Sequence, residues 1–354
     1  MKSKTIKSTS ITRRKFLSVA SNTTGAIMLM NQHPTFADQS HDNPLKSHSP
    51  QNRRDVTFKS VGAELSGWLY EPAVNPPWPI VVMAHGFTAT RKMTADKYAE
   101  VFCEHGMAVL LYDHRGFGDS SGEPRRQINL WIQACGYVDA ISFVKKQKVI
   151  NPKQIAIWGD SASGGVALVA ASIIPGIAAL VIQVPALGSS LPPKDTTGTL
   201  FQKLKKSILF EPFKLLENVE TEGPMPVVSD DQYRRPSALH PLTAYRWFIE
   251  YGGRFDTGWV NDVTRAKPKS PIWHPGLCAE HISCPCLFMV SPNDEMKGAS
   301  PAVARSIYNR IKTKKKWMEI EGGHFGLVYF PSAEFEKAAF AQAEFLSDNL
   351  IPVH

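Results

Sequence analysis

The sequence predicts an α/β fold, in which a mostly parallel sheet is covered by helices on both faces. From residue 54 onward, short apolar runs alternate with amphipathic or small-residue helical segments. Buried parallel strands have such near-continuous apolar sequences because helices cover both of their faces. Hydrophobic residues make up 43% of the 354 residues, which is enough for a large core.

The predicted elements follow one another regularly along the chain. The pattern predicts an opening pair of strands, then strands and helices in alternation, and last a terminal amphipathic helix. Thr94 is expected to cap the first helix and Gly106 to end it. In chain order the segments are two strands within 55–72, a strand at 79–86, a helix at 94–106, a strand at 107–116, a helix at 127–148, a strand at 154–160, a helix at 163–173, strands at 177–185, 284–292 and 315–323, and a helix at 332–350.

Residues 186–280 interrupt this alternation. They are rich in proline, lysine and aromatic residues and contain no obvious strand, which indicates an insertion that forms a cap or lid. The aromatic residues fit either a substrate-binding surface or the small core of the insertion itself. The predicted core domain therefore consists of residues 54–185 and 281–354.

The leader at residues 1–37 contains six lysines and arginines and no acidic residue. Arg13 and Arg14 precede Phe16 and a weakly apolar stretch, and small residues end at Ala37. This pattern is typical of a twin-arginine export signal, and the alternative is a basic tail. We expect cleavage after Ala37, a flexible linker at 38–53, and a periplasmic or secreted protein that meets the twin-arginine translocase.

Charge and cysteine usage exclude several classes of protein. Without the six leader charges the net charge falls from +8 to +2, so nothing indicates a nucleic-acid partner. No apolar run reaches about 18 residues, so no membrane insertion is expected. The number of cysteines is odd, which argues against a complete disulfide framework, and no spacing of cysteine and histidine is typical of a metal site. The cysteines are Cys103, Cys135, Cys278, Cys284 and Cys286.

The segment GDSASGG at 159–165 offers two serines as nucleophiles. A serine needs a base, an acid that orients the base, and N–H donors for the oxyanion. At a sharp turn from strand to helix, the residues two before and two after the serine must be small. Both Ser161 and Ser163 satisfy this condition. The apolar strand ends at Trp158, which favours Ser161, whereas a serine that merely caps a helix is a further alternative.

An acid and a base follow two later strands. Asp294 comes directly after the strand at 284–292, and His324 follows two glycines at the end of the last strand. Active sites in parallel sheets lie beyond the carboxyl ends of the strands, so these side chains are expected at the same edge. Glu295 is the second choice for the acid. His281 and His354 are poorer candidates for the base.

Two backbone N–H groups are the expected oxyanion donors. Ala162 directly follows the serine, and Phe87 lies in the loop after the strand at 79–86. Gly86 allows this loop to turn, and His85 is expected to hold it in place. A separate pair, Asp113 and Arg115, is expected to form a local ion pair.

The motifs together resemble the α/β-hydrolase superfamily. They are HGF (85–87), DHRGFGDSSG (113–122), GDSASGG (159–165), SPND (291–294) and GGH (322–324). A closer resemblance is to dienelactone-hydrolase-like and X-Pro-dipeptidyl-peptidase-like hydrolases, including polyketide-transferase-like members. It implies an eight-stranded, mostly parallel sheet, an inserted cap to which WVNDVTRA (259–266) is similar, and a triad of Ser161, Asp294 and His324 in that chain order. The chain has no room for the additional β-domain of true X-Pro peptidases, so peptidase activity is not expected.

The sequence therefore predicts a serine hydrolase that cleaves an ester or thioester of an apolar or aromatic acyl group through an acyl-enzyme. This chemistry needs neither metal nor organic cofactor. An acyltransferase would use the same acyl-enzyme with an alcohol or amine in place of water. A non-catalytic binding protein on the same scaffold is the third reading. The sequence does not indicate the oligomeric state.

Overall fold

The computed structural model describes residues 52–217 and 219–351. The predicted leader, nearly all of the predicted linker and the alternative base His354 lie outside these residues. Within the described ranges, no helix is long and apolar enough to cross a membrane.

Eleven strands form two sheets within the described part of the chain. The strands are β1 (Arg53–Ser60), β2 (Ala63–Tyr70), β3 (Trp78–Ala84), β4 (Ala108–Tyr112), β5 (Gln127–Ile128), β6 (Ile150–Asp160), β7 (Ala179–Gln183), β8 (Glu220–Met225), β9 (Val263–Lys267), β10 (Cys286–Val290) and β11 (Lys315–Glu319). The large sheet has eight strands in the order β1-β2-β4-β3-β6-β7-β10-β11. From β4 to β11 all neighbouring strands are parallel, whereas β2 is antiparallel to β1 and β4. This confirms the predicted fold class.

Helices cover both faces of the large sheet. They are α1 (Ala95–Glu104), α2 (Leu130–Val144), α3 (Ser161–Ile173), α4 (Thr199–Phe210), α5 (Leu242–Gly252), α6 (Pro301–Arg310), α7 (Gly323–Gly326) and α8 (Ala333–Leu350), with 3-10 helices at Pro212–Leu216 and Pro275–His281. Successive side chains along β6 point to opposite faces of the sheet and pack against different helices. Ile157 packs into the cluster formed with α2 and α3, whereas the Trp158 ring lies 5.4 Å from that of Tyr98 on α1 and its indole N–H bonds Gln342 on α8.

Two local predictions about helix starts need correction. The helix predicted at 127–148 begins at Leu130, because Gln127 and Ile128 pair with β9 and the Asn129 side chain accepts a hydrogen bond from the Ile132 N–H. Thr94 precedes α1 with a φ of 75°, and its side chain makes no capping hydrogen bond. The helix itself ends at Glu104, and after His105 the chain continues through Gly106 with a φ of 83°, which confirms the predicted end at this glycine.

The pairing predicted between Asp113 and Arg115 is also wrong. Asp113 binds the buried guanidinium of Arg91 and accepts a hydrogen bond from the Arg91 N–H at 2.7 Å. Arg115 instead donates to the Glu123 carbonyl at 2.7 Å. Arg91 replaces Arg115 because the loop after β3 lies beside β4 in the sheet, which places it next to Asp113.

The segment predicted as a cap contains regular structure that its sequence does not indicate. Its strands β8 and β9 join β5 of the core segment in a three-stranded sheet of order β5-β9-β8. Helix α5 packs on the other side of the segment against the loop that follows α7. The Trp247 indole donates to the Val328 carbonyl at 2.9 Å, and the Tyr251 hydroxyl donates to the Phe330 carbonyl at 2.9 Å.

Candidate active site

Ser161 lies at the turn between β6 and α3. It is the first residue of the helix, and its φ of 48° is a conformation that non-glycine residues rarely adopt. The strand and helix approach so closely that a Cβ on Gly159 would lie 2.6 Å from the Ser163 carbonyl carbon. The small residue predicted two positions before the serine is therefore required by this turn.

His324 joins Ser161 to Asp294. Its Nε2 lies 2.8 Å from Ser161 Oγ, and its Nδ1 lies 2.7 Å from Asp294 Oδ2. The Asp294 carboxylate is an acceptor, so Nδ1 carries the proton and Nε2 is free to accept the Ser161 hydroxyl proton. Both side chains of the His324–Asp294 pair are buried, at 4% and 2% exposure. The structure thus brings together the three side chains that the sequence selects.

The alternative residues occupy other positions. Ser163 is fully buried and donates to the His85 carbonyl at 2.7 Å, while His114 Nε2 lies 2.8 Å from its hydroxyl. Ser163 therefore has no access to a substrate. Glu295 accepts the His324 backbone N–H at 2.8 Å rather than the imidazole proton. His281 stacks on Phe201, with 3.5 Å between ring centroids.

The two N–H groups predicted as oxyanion donors flank the serine. Gly86 lies against the turn, since a Cβ there would be 2.7 Å from Ser161 Cβ and 3.2 Å from the Ala162 nitrogen. Ala162 is in the first turn of α3, where backbone N–H groups have no partner within the helix. Among the described residues, no hydrogen bond uses the N–H of Ala162 or of Phe87. Both residues line the cavity above Ser161.

Asp160 is a site residue that the sequence analysis missed. One carboxylate oxygen accepts the Gly86 N–H at 2.8 Å, and the other lies 3.0 Å from His85 Nδ1. The remaining ring nitrogen of His85 lies 2.7 Å from the Met93 carbonyl. Both ring nitrogens thus face acceptors, which an imidazolium satisfies and a neutral ring does not. The sequence signal for a role of Asp160 was its position as the last residue of a strand, directly before the serine.

The charge state of His85 follows from these contacts. Burial by itself lowers the pKa of His85, but the Asp160 carboxylate and the Met93 carbonyl outweigh it, and the pKa is raised above 6.5. The Gly86 N–H also lies 2.7 Å from His85 Nδ1, and we assign it to Asp160 because Nδ1 needs its own proton for the ion pair. The pair therefore joins the loop after β3 to the turn after β6.

A cavity of about 540 Å³ opens above Ser161 and His324. Its walls are mostly apolar, and α5 of the inserted segment supplies part of them. Two basic side chains, Arg265 and Lys297, also line it. The apolar side chains include Val184, Leu239, Trp247, Phe248, Phe325 and Val328. Among the described residues, no group of three or more histidines, cysteines, aspartates or glutamates is arranged to hold a metal ion.

Comparison with known proteins finds several relatives of this chain. The quorum-quenching protein AidA of Acinetobacter baumannii is 28% identical over 314 residues, covering 86% of this chain and 97% of AidA. Thiohydrolase aneE of Aspergillus aculeatus is 27% identical over 328 residues, covering 87% and 96%. The polyketide transferase grgF of a Penicillium species is 39% identical over a shorter stretch of 139 residues, 39% of this chain and 47% of grgF.

A solved structure and a family model identify the fold and the family of this chain. The crystal structure of the α/β-hydrolase GrgF superposes with a TM-score of 0.64 at 27% identity, covering 84% of this chain and 99% of GrgF. The model of the family Hydrolase_4, described as serine aminopeptidase S33, matches residues 75–325. The chain is therefore a hydrolase with the α/β-hydrolase fold and belongs to the Hydrolase_4 (serine aminopeptidase S33) family.

Proposed function

We propose that the protein is a serine hydrolase that cleaves an ester or thioester of an apolar or aromatic acyl group. The observation that carries this proposal is the chain of hydrogen bonds from Ser161 through His324 to Asp294, at the base of a mostly apolar cavity. A hydroxyl in contact with an oriented base is the arrangement needed for nucleophilic catalysis.

The reaction proceeds through two acyl transfers. His324 Nε2 takes the hydroxyl proton while Ser161 Oγ attacks the carbonyl carbon of the substrate. As the bond from this carbon to the leaving oxygen or sulfur breaks, the imidazolium gives its proton to the leaving group, and an acyl-enzyme remains. Water then repeats the sequence and releases the acid, while Asp294 holds the imidazole and stabilises its positive charge.

The N–H groups of Phe87 and Ala162 stabilise the oxyanion of each tetrahedral intermediate. The proximity of Gly86 to the turn supports this role, since a Cβ on Gly86 would lie 2.7 Å from Ser161 Cβ and 3.2 Å from the Ala162 nitrogen. One such donor contributes about 3–4 kcal/mol to transition-state stabilisation.

The apolar walls of the cavity favour an acyl group without polar substituents next to the carbonyl. The rings of Trp247, Phe248 and Phe325 lie in mutual contact, with centroids 4.9–6.2 Å apart. Each Å² of apolar surface that leaves water there contributes about 25 cal/mol of favourable binding free energy. Names of relatives such as thiohydrolase aneE support the inclusion of thioesters.

A labelling experiment tests the nucleophile. A fluorophosphonate probe should label the wild-type protein at Ser161, and the Ser161→Ala variant should remain unlabelled. A series of 4-nitrophenyl esters and acyl thioesters of increasing chain length then measures acyl preference. Equal labelling of both proteins, or none of either, would favour the non-catalytic binding protein instead.

Acyl transfer to an alcohol or amine is the second candidate. Similarity to the polyketide transferase grgF favours it, and the acyl-enzyme would be the same. The acceptor decides between the two reactions, so hydrolysis assays with added alcohols and amines, analysed by mass spectrometry of the products, distinguish them. An acylated acceptor as the main product in water would indicate a transferase.

Aminopeptidase activity, which the family description mentions, has less support in this cavity. An aminopeptidase has to bind the ammonium group of a peptide, and a free carboxylate is the usual partner. The carboxylates of Asp160, Glu295 and Asp294 all bind groups of the protein itself. The absence of turnover of amino-acid 4-nitroanilides by an enzyme that cleaves esters would agree with this reading.

Export by the twin-arginine pathway remains a proposal that rests on the sequence pattern of residues 12–37. In a bacterial host with the translocase, replacement of both Arg13 and Arg14 by lysine should retain the protein in the cytoplasm. Cell fractionation measures this result, and unchanged location of the variant would contradict it.

A further inference from the structure

The carboxylates around the cavity are already bound by the protein. Asp294 bonds His324, and Asp160 faces His85 and the Gly86 N–H. Glu295 accepts the backbone N–H of His324 with one oxygen and the Thr243 hydroxyl with the other. Each of these carboxylates therefore already has partners within the protein.

Arg265 is bound much less completely. It lies on β9, lines the cavity and has a side chain that is 32% exposed. Its Nη2 donates to the Ala238 carbonyl at 2.7 Å, which fixes the direction of the guanidinium. The Glu222 carboxylate lies 3.9 Å from Nη1, beyond hydrogen-bond distance, and is itself bound by Lys267 at 2.8 Å. Most of the five N–H donors of Arg265 therefore remain for a ligand.

One contact connects Arg265 to the reacting groups, and a second cation lines the same cavity. The guanidinium carbon lies 5.7 Å from the centre of the Phe87 ring, and Phe87 carries one of the proposed oxyanion donors. Lys297 is exposed and lines the same cavity, and no ion pair among the described residues involves it. An oriented guanidinium and a lysine beside apolar walls suit a ligand that is apolar at one part and anionic at another.

We propose that the natural substrate is an anionic ester or thioester, whose carboxylate or phosphate group binds Arg265 and Lys297 while the apolar acyl group occupies the cavity. The proposal rests on the proposed function, since it names the class of substrate that Ser161 attacks. Arg265 and Lys297 act here as specificity-determining residues. The anionic group is on either the acyl group or the leaving group, and matched probes distinguish these two positions.

We choose two pairs of probes, and the two members of each pair differ by one anionic group. The 4-nitrophenyl monoester of adipic acid and 4-nitrophenyl hexanoate differ by a carboxylate in place of the terminal methyl of the acyl chain. Hexanoyl-4′-phosphopantetheine and hexanoyl-pantetheine differ by a phosphate on the leaving group. We expect the wild-type enzyme to prefer the anionic member of one pair by about tenfold in KM, the order of one charge-assisted hydrogen bond.

Three variants assign the preference to its residues. Arg265→Gln keeps an N–H donor for the Ala238 carbonyl but removes the charge, and Lys297→Met removes an exposed charge with little effect on folding. Both should bring the ratio of the two KM values close to one. Lys337→Met, an exposed lysine on α8 that does not line the cavity, is the matched control and should retain the wild-type ratio.

Binding to the Ser161→Ala variant separates this proposal from the proposed function. Calorimetry with the four probes measures the preference for an anion without turnover. Tighter binding of an anionic probe, lost in the double variant Ser161→Ala/Arg265→Gln, supports the proposal even if the wild-type enzyme proves inactive. Equal binding and equal KM within both pairs would overturn it, while turnover and labelling of Ser161 would leave the hydrolase assignment intact.

Discussion

The carboxylate of Asp160 and the imidazole of His85 form a buried pair, with 3.0 Å between Oδ2 and Nδ1. Asp160 precedes the serine on β6, and His85 begins the loop after the neighbouring strand β3. The pair therefore fixes the distance between the two segments that supply the proposed oxyanion donors. Because both side chains are almost completely buried, loss of either partner leaves the other with a poorly solvated charge.

The first prediction concerns the stability that this pair provides. Asp160→Asn should lower the free energy of unfolding by about 3–5 kcal/mol, because a charged His85 is left in the interior. Urea denaturation at pH 7 measures the change. Asp262→Asn is the control, since its pair with Arg126 is 36–41% exposed and should contribute less than about 1 kcal/mol. Similar losses in both variants would contradict a special role for the buried pair.

The second prediction is a dependence of stability on pH. The folded-state pKa of His85 is raised, so its contribution is complete below the unfolded value of about 6.5 and is lost as pH rises through the folded value. The difference in unfolding free energy between wild type and His85→Gln should therefore shrink as pH rises above neutrality. Burial lowers the pKa of the neighbouring His114 to about 3, so this ring stays neutral throughout. A difference in unfolding free energy between the two proteins that grows as pH rises would contradict this prediction.

The third prediction separates the two serines. Ser161→Ala should abolish esterase activity and probe labelling without loss of stability. Ser163→Ala should retain labelling but lower the free energy of unfolding by about 1–3 kcal/mol, because the His85 carbonyl and His114 lose a buried hydrogen-bond partner. Thermal unfolding and activity are measured on the same preparations. Loss of labelling in a folded Ser163→Ala protein would contradict the choice of Ser161.

The fourth prediction separates the two acids. Asp294→Asn should reduce kcat by roughly 10³–10⁴-fold, because an amide no longer holds the imidazole in the required tautomer. Glu295→Gln keeps one carbonyl oxygen for the His324 N–H and should reduce kcat by about tenfold or less. Steady-state kinetics with one ester measures both variants. A larger effect at Glu295 would make it the functional acid.

The sequence alone predicted much of the central sheet, because fully buried strands have a local signature. The run that ends at Trp158 placed Ser161 at the turn, and the apolar run before Asp294 placed the acid at the same edge. Composition locates such strands but overestimates their length, since the strand predicted at 107–116 is Ala108–Tyr112 and the one predicted at 284–292 is Cys286–Val290.

Contacts between distant segments were not predictable in this way. Arg91 binds Asp113, and Asp160 binds His85, because strand order makes β3 the neighbour of both β4 and β6. No local pattern encodes that order. Similarly, the start of α2 depends on pairing between Gln127 and Thr264, which lie far apart in the chain. The prediction of Arg115, the cation nearest to Asp113 in sequence, is therefore wrong.

Helix α5 contacts the cavity and the segment of His324 at the same time. Trp247 lines the cavity and bonds the Val328 carbonyl, and Thr243 bonds Glu295, which in turn accepts the His324 N–H. Substitutions on α5 that are meant to change acyl selectivity would consequently alter turnover of every substrate, because a displacement of α5 also moves His324. Val184 also lines the cavity, but it lies directly after β7 and before the inserted segment. It is therefore the better position for a directed library.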